Sequence, residues 1–245
     1  MQNIRKFGVF ALLIAGGIYA AVRLTAPGGT YGGTWKMTLL LPDTEKTICL
    51  LRISGDEAHP SVEVTDAPDF ATAEAEGARI EDGALRFRIK TERTTLHAVV
   101  QPAKEGSTPG RLLGSLRDQA NYEKLRLEKT DLRELDPKKT TVPAPGISEL
   151  KNALEMQTPP QKMIDRLQEL LKKHADEPIA QIVLLVLVQL QAHSDAPAAD
   201  LKSSVDRFLT LASAYGREIE MQSASRLARV LAEITGRNES ELAVD

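Results

Sequence analysis

The sequence predicts an α+β chain in three parts: an N-terminal membrane helix, an antiparallel β-meander, and a stack of α-hairpins with repeat-like spacing. Three observations predict it. Residues 7–22 run apolar without a charge. From Tyr31 to about residue 130, apolar side chains recur at every second position. Beyond a proline-rich break at 131–146, they recur every three or four positions. The 245 residues suffice for two small domains. A hydrophobic content of 42% sustains packed cores, and with aromatics at 4% these are built mainly from Leu, Ile, Val and Ala.

Residues 1–24 read as a signal anchor or signal peptide. Arg5 and Lys6 precede the 16-residue apolar run and Arg23 closes it. Positive charge on the N-terminal side holds that end in the cytoplasm and exports the rest. A 16-residue helix rises about 24 Å, short of a bilayer core of about 30 Å, and snorkelling by Lys6 and Arg23 makes up the difference. Cleavage sites are poor. Ala15-Gly16-Gly17 falls inside the apolar run, and Ile18-Tyr19-Ala20 has a bulky residue where a small one is needed. An uncleaved inner-membrane anchor is the first reading, and a cleaved signal with release to the periplasm the second. No cysteine follows the run, which excludes a lipid-modified N-terminus.

Residues 30–130 read as the β domain. Trp35, Met37, Leu39 and Leu41 share one face of a strand, and Pro42-Asp43 turns the chain. Cys49, Leu51 and Ile53 share the face of the next, which ends at Ser54-Gly55-Asp56. Val62 and Val64 form a short third strand. Leu85, Phe87 and Ile89 alternate with Arg86, Arg88 and Lys90 directly after the hairpin signal Glu81-Asp82-Gly83. Leu96, Ala98 and Val100 follow, then Leu112, Gly114 and Leu116, then Leu125 and Leu127. Short turns between such strands argue for a meander, closed as a small barrel or left as a curved sheet with one solvated face. Gly33-Thr34-Trp35 on the first strand resembles the Gly-x-Trp motif of the lipocalin-like group, whose tryptophan packs across the closed end of a barrel. That resemblance implies a small apolar ligand held in the β domain, the alternative function.

Residues 131–146 carry Pro137, Pro143, Pro145 and Gly146 and read as an extended linker. Residues 147–245 read as helical. Leu150, Ala153 and Leu154 mark a short helix, and Ile164, Leu167, Leu170 and Leu171 the next. The third runs from Ile179 to Leu190 and is the most apolar, but it is too short to span a bilayer and is broken by Gln181 and Gln189. Leu201 to Ala212 and Ile219 to Ile234 mark two more. Thr158, Asp176 and Asp195 stand just before prolines as helix caps, and Gly216 and Gly236 stand where helices end. The starts are 18 and 19 residues apart, a two-helix unit near the length of helical-hairpin repeats. Such stacks serve as spacers or binding surfaces, which places a protein partner on the helical domain.

No catalytic, cofactor-binding or metal-binding residue emerges. There is no Gly-x-Ser-x-Gly elbow, P-loop or Gly-x-Gly-x-x-Gly turn. His59, His97, His174 and His193 lack metal-ligand spacing, and Cys49 is alone and on an apolar face. Glu74, Glu76, Glu81 and Asp82 read as a solvated edge near a turn. With Arg5, Lys6 and Arg23 set aside, 28 basic face 34 acidic side chains, a net charge of −6 that argues against nucleic acid as a partner.

Gly33-Thr34-Trp35, His174-Ala175-Asp176-Glu177-Pro178 and Ala214-Tyr215-Gly216 follow a basic N-terminus and an apolar segment. In that order they resemble the N-terminal, non-catalytic part of membrane-anchored bacterial thioredoxin-like (TlpA/redoxin) proteins. There, a β domain and helical hairpins precede the redox domain. This sequence has no Cys-x-x-Cys, so no catalytic residue carries over. The resemblance implies an accessory module or a piece of a longer protein. The expected function is that of an exported, membrane-anchored, non-enzymatic interaction or accessory module, within reach of an extracytoplasmic redox system.

Overall fold

The computed structural model describes residues 31–103, 110–119, 121–155, 159–175, 177–194 and 196–242, with 235–242 as backbone only. The expected membrane segment, 1–24, and the expected caps Thr158, Asp176 and Asp195 lie outside the described residues. Among the described residues no helix is long and apolar enough to cross a membrane.

The architecture is α+β, as the periodicity predicts. Eight strands follow one another: β1 (Gly33–Leu40), β2 (Thr44–Gly55), β3 (Pro60–Asp66), β4 (Ala73–Glu81), β5 (Ala84–Thr91), β6 (Thr95–Pro102), β7 (Arg111–Asp118) and β8 (Asn121–Lys129). Each pairs antiparallel with the next except across β3 and β4, and β1 also pairs with β8. The sheet therefore rolls into a nearly closed barrel with one seam, between β3 and β4. Alternation decides what goes inside. Trp35 and Met37 of β1, Leu51 of β2, Phe87 and Ile89 of β5, and Leu125 and Leu127 of β8 meet in one cluster, each at most 2% exposed.

Two local features fix the strands. Asp82 and Gly83 both take positive φ, 52° and 72°, the two-residue geometry whose twist matches a hairpin. Gly114 sits in β7 where a Cβ would lie 1.8 Å from the Val99 carbonyl oxygen of β6. The absent side chain lets the two backbones meet. β4 is a strand that alternation alone does not reveal, because its inward residues are mostly Ala73, Ala75 and Ala78. The supposed turn-edge carboxylates largely form its outer face, where Glu76 lies 3.4 Å from Arg88 and Glu81 3.3 Å from Arg86 on β5.

The stretch 131–146 follows the barrel wall. Leu135 N–H donates to Asp66, Pro137–Lys139 makes one 3₁₀ turn, and β9 (Thr141–Pro143) pairs with the start of β2. The Ala144 N–H then donates to the Asp43 carbonyl. Its prolines thus stop long regular elements without freeing the chain from the sheet.

Five helices follow: α1 (Ile147–Glu155), α2 (Pro160–Lys173), α3 (Ile179–Ala192), α4 (Ala198–Ser213) and α5 (Arg217–Leu242). Pro159, Pro178 and Pro197 stand at the N-cap positions themselves, one residue earlier than a first-turn proline, with no side-chain cap bond. Gly216 has φ +96° and separates α4 from α5, but α5 continues through Gly236. Successive helices pack on one another, with α3 in contact with α2, α4 and α5. That central place explains its composition: Val183, Leu184, Leu187 and Val188 are buried on several sides at once.

Candidate functional site

The helices dock on the outer wall of the barrel, over β1, β7 and β8. The register puts Leu40 opposite Lys124 and Thr38 opposite Arg126, all facing away from the barrel interior. Leu40, Tyr215 and Ile219 form a small buried cluster across the junction, with Leu113, Tyr122 and Ala214 against it.

Two cations stand in this junction, one buried and one half-buried. Arg126 is 6% exposed, and its Nη2 donates to Glu45 Oε2 at 2.6 Å. Its Nη1 lies 3.5 Å from Glu177 at the foot of α3, and its Nε 3.4 Å from Glu128. Burial works against the guanidinium charge, but the Glu45 hydrogen bond and the three carboxylates outweigh it and raise its pKa. Glu128 in turn holds Lys36 and Arg111, at 3.5 and 3.1 Å. Strand β8 thus supplies one buried cation that ties β2, and the first residues before α3, into a single network.

Lys124 is the second. Its amine donates to Gln181 Oε1, Gln181 Nε2 donates to Ser223 Oγ at 3.2 Å, and the ammonium lies 5.5 Å from the centre of the Tyr215 ring. Burial, and secondly the positive charge of Arg226, push the Lys124 amine down to about 8, against a smaller upward pull from Glu123. Burial also pushes the Tyr215 hydroxyl up to about 12.

Lys124, Pro178 and Gln181 border two spaces. On one side lies a cleft of about 260 Å³, walled by Leu40, Ile182, Leu185, Phe208 and Ile219, with Gln222, Ser223 and Arg226 at its polar side. On the other lies a pocket of about 80 Å³, reaching Arg111, Arg126, Glu177 and Tyr215 and roomy enough for a water or two. The arrangement offers hydrogen-bond donors and positive charge beside apolar walls. Among the described residues, no group of three or more His, Cys, Asp or Glu side chains is placed to hold a metal ion.

The residues set aside as structural take these places. Cys49 is buried, with its Sγ 3.6 Å from Met37 Sδ, and burial pushes its thiol up to about 12. His59 is exposed beside Asp56 at 3.5 Å. His97 is on the outer wall, its pKa lowered by burial and then by Arg117 and Arg88. His174 and His193 end α2 and α3. Alternation with Leu125 and Leu127 puts Lys124 and Arg126 on the opposite face of β8, the face that usually meets solvent, so neither stands out in the sequence. The signal that could have found them is Gln181, a polar residue early in the most apolar helix. Glu177, Pro178, Ala214 and Tyr215 belong to the short motifs that carried the thioredoxin-like resemblance, and all four line the smaller pocket.

Comparison with family models, with curated proteins and with solved structures finds no match.

Proposed function

We propose that the chain is a non-enzymatic accessory module, exported and held at the membrane by its N-terminal segment, which presents its helices to a protein partner of an extracytoplasmic assembly. The observation that supports this reading is the filled barrel. Trp35 is 1% exposed with its indole N–H donating to the Tyr31 carbonyl at 2.7 Å, and Met37, Phe87 and Ile89 occupy the space beside it. A lipocalin-like binder keeps that space for its ligand, so the filled interior counts against the alternative. The barrel instead acts as a base on which the helices are fixed. Their far side remains open, with Leu154 on α1 42% exposed and Met221 on α5 60% exposed.

The test is topology and attachment in one experiment. The full chain should sediment with membranes and lose its helices to protease added from the extracytoplasmic side. A chain beginning at Tyr31 should stay in the soluble fraction. Protection from that side, or cleavage only from the cytoplasmic side, would sink the export reading. Quenching of Trp35 emission by a saturating apolar ligand would restore the barrel-interior alternative.

A further inference from the structure

We infer that the cleft between the barrel and the helices binds an amphiphilic acid, with a carboxylate or phosphate head at Lys124 and Arg226 and a short apolar chain along Leu40, Ile182 and Phe208. The inference goes beyond the partner-binding reading and does not depend on it.

Charge is the first argument. On this wall of the barrel, Lys36, Arg111 and Arg126 each have a carboxylate within 3.5 Å. Lys124 and Arg226 line the same cleft and have no ion-pairing carboxylate among the described residues. They are close enough for Arg226 to hold down the proton affinity of Lys124. Like charges that face one space, with no carboxylate among the described residues ion-paired to either, repel each other, and a bound anion relieves that repulsion. Glu123 is also on the rim, yet its pull on Lys124 is smaller than the push from Arg226.

Donor capacity is the second argument. The Lys124 ammonium has three N–H groups, and one goes to Gln181. Arg226 is exposed and its fork suits the two oxygens of a carboxylate or phosphate. The walls are the third. Leu40, Ile182, Leu185, Phe208 and Ile219 give the cleft an apolar side that inorganic phosphate alone would leave uncovered. Its volume of about 260 Å³ is just below the roughly 300–1,000 Å³ of drug-sized sites, which limits the ligand to an acid of about octanoate's size. A polyanion is disfavoured because the body of the chain carries 28 basic against 34 acidic residues.

The head can belong to a free acid or to a lipid, and the experiment separates the two. The full chain, in zwitterionic nanodiscs, is titrated calorimetrically with octanoate, octanol and inorganic phosphate, with empty nanodiscs as the blank. Octanoate should bind at least tenfold more tightly than octanol or phosphate. Arg226→Gln, an exposed change that leaves the fold intact, should weaken octanoate at least tenfold, and Lys124→Met should do the same with its folding checked by urea. Arg133→Gln, exposed and outside the cleft, should change nothing. In the lipid arm, the chain from Tyr31 is mixed with vesicles containing phosphatidylglycerol after its fold is checked by circular dichroism. Vesicle binding lost in Arg226→Gln assigns a lipid head. Octanoate binding without vesicle binding assigns a free acid. Octanol binding as well as octanoate, or octanoate binding unchanged in both cleft variants, overturns the inference, as does binding of neither octanoate nor vesicles.

Discussion

Replacing Arg126 by methionine removes one charge from the junction and leaves its partner behind. Glu45 is 7% exposed, and its Oε1 is buried without a hydrogen-bond partner, so Arg126 is its chief compensation. Stranding a buried charge in this way costs about 3–5 kcal/mol, a large share of the roughly 5–15 kcal/mol that holds a folded chain together. The other two carboxylates suffer less. Glu177 keeps 26% of its side chain in solvent, and Glu128, at 23%, retains Lys36 and Arg111. The cost should therefore track Glu45, and Glu45→Met added to Arg126→Met should recover most of it, since both ions are then replaced by apolar groups. Glu45→Gln alone should cost about 1–2 kcal/mol, because Arg126 still faces two carboxylates. Urea unfolding followed by circular dichroism measures the parent and these three variants. With a slope near 2 kcal/mol per M, Arg126→Met should lower the midpoint by about 2 M. A loss below about 1 kcal/mol, or a double variant as unstable as Arg126→Met, would refute the reasoning.

Lys124 makes stability depend on pH. Its folded amine titrates at about 8, below the roughly 10.4 of an unfolded lysine, so between those values the unfolded chain binds more protons and stability rises with pH. The parent should gain up to about 3 kcal/mol on Lys124→Met between pH 8 and 10, and parallel curves would show the amine to be solvated. The difference is needed because Cys49 and Tyr215, both raised to about 12, act the opposite way: their unfolded forms ionise first and stability falls as pH rises. Cys49 should react with a thiol reagent slowly in the native protein and quickly in urea, and fast native labelling would contradict its burial. Gly114→Ala should destabilise by about 3 kcal/mol, since its Cβ meets backbone that has no flexible end to move, and a normal urea midpoint would show that β6 and β7 are farther apart than described.

Period-two patterning was enough to place seven of the barrel strands, and the inward set Trp35, Met37, Phe87 and Leu127 was legible as a core. β4 was not, because alanines alternate as weakly as a loop does. Closure by β1 and β8 was not either. Nothing local in Gly33–Leu40 says that it pairs with residues some ninety positions later. The helices were legible from their period, yet Gly236 misled because a glycine inside a long helix costs only about 1 kcal/mol, which packing can override. The junction stayed hidden for a different reason. Arg126, Lys124 and Glu45 obey the rule for a solvated strand face, and only a second layer arriving from α3 and α5 buries Arg126 and Glu45 and half-covers Lys124. Burial of a polar face by a distant element leaves no periodic trace.

The pairing of β1 with β8 also sets an order of events. Strands β4 to β8 pair each with its neighbour in sequence and can do so as each strand appears, but Gly33–Leu40 must wait for Asn121–Lys129 before it has its second neighbour. Closing so long a loop is entropically costly, so barrel closure should be the slow step of folding. The wall that receives the helices includes these same two strands beside β7, which means that α3 and α5 lack a complete docking surface until that step is finished. A chain whose helices are complete but whose barrel is open would carry Leu40, Tyr215 and Ile219 uncovered, and that intermediate is where aggregation during synthesis would begin.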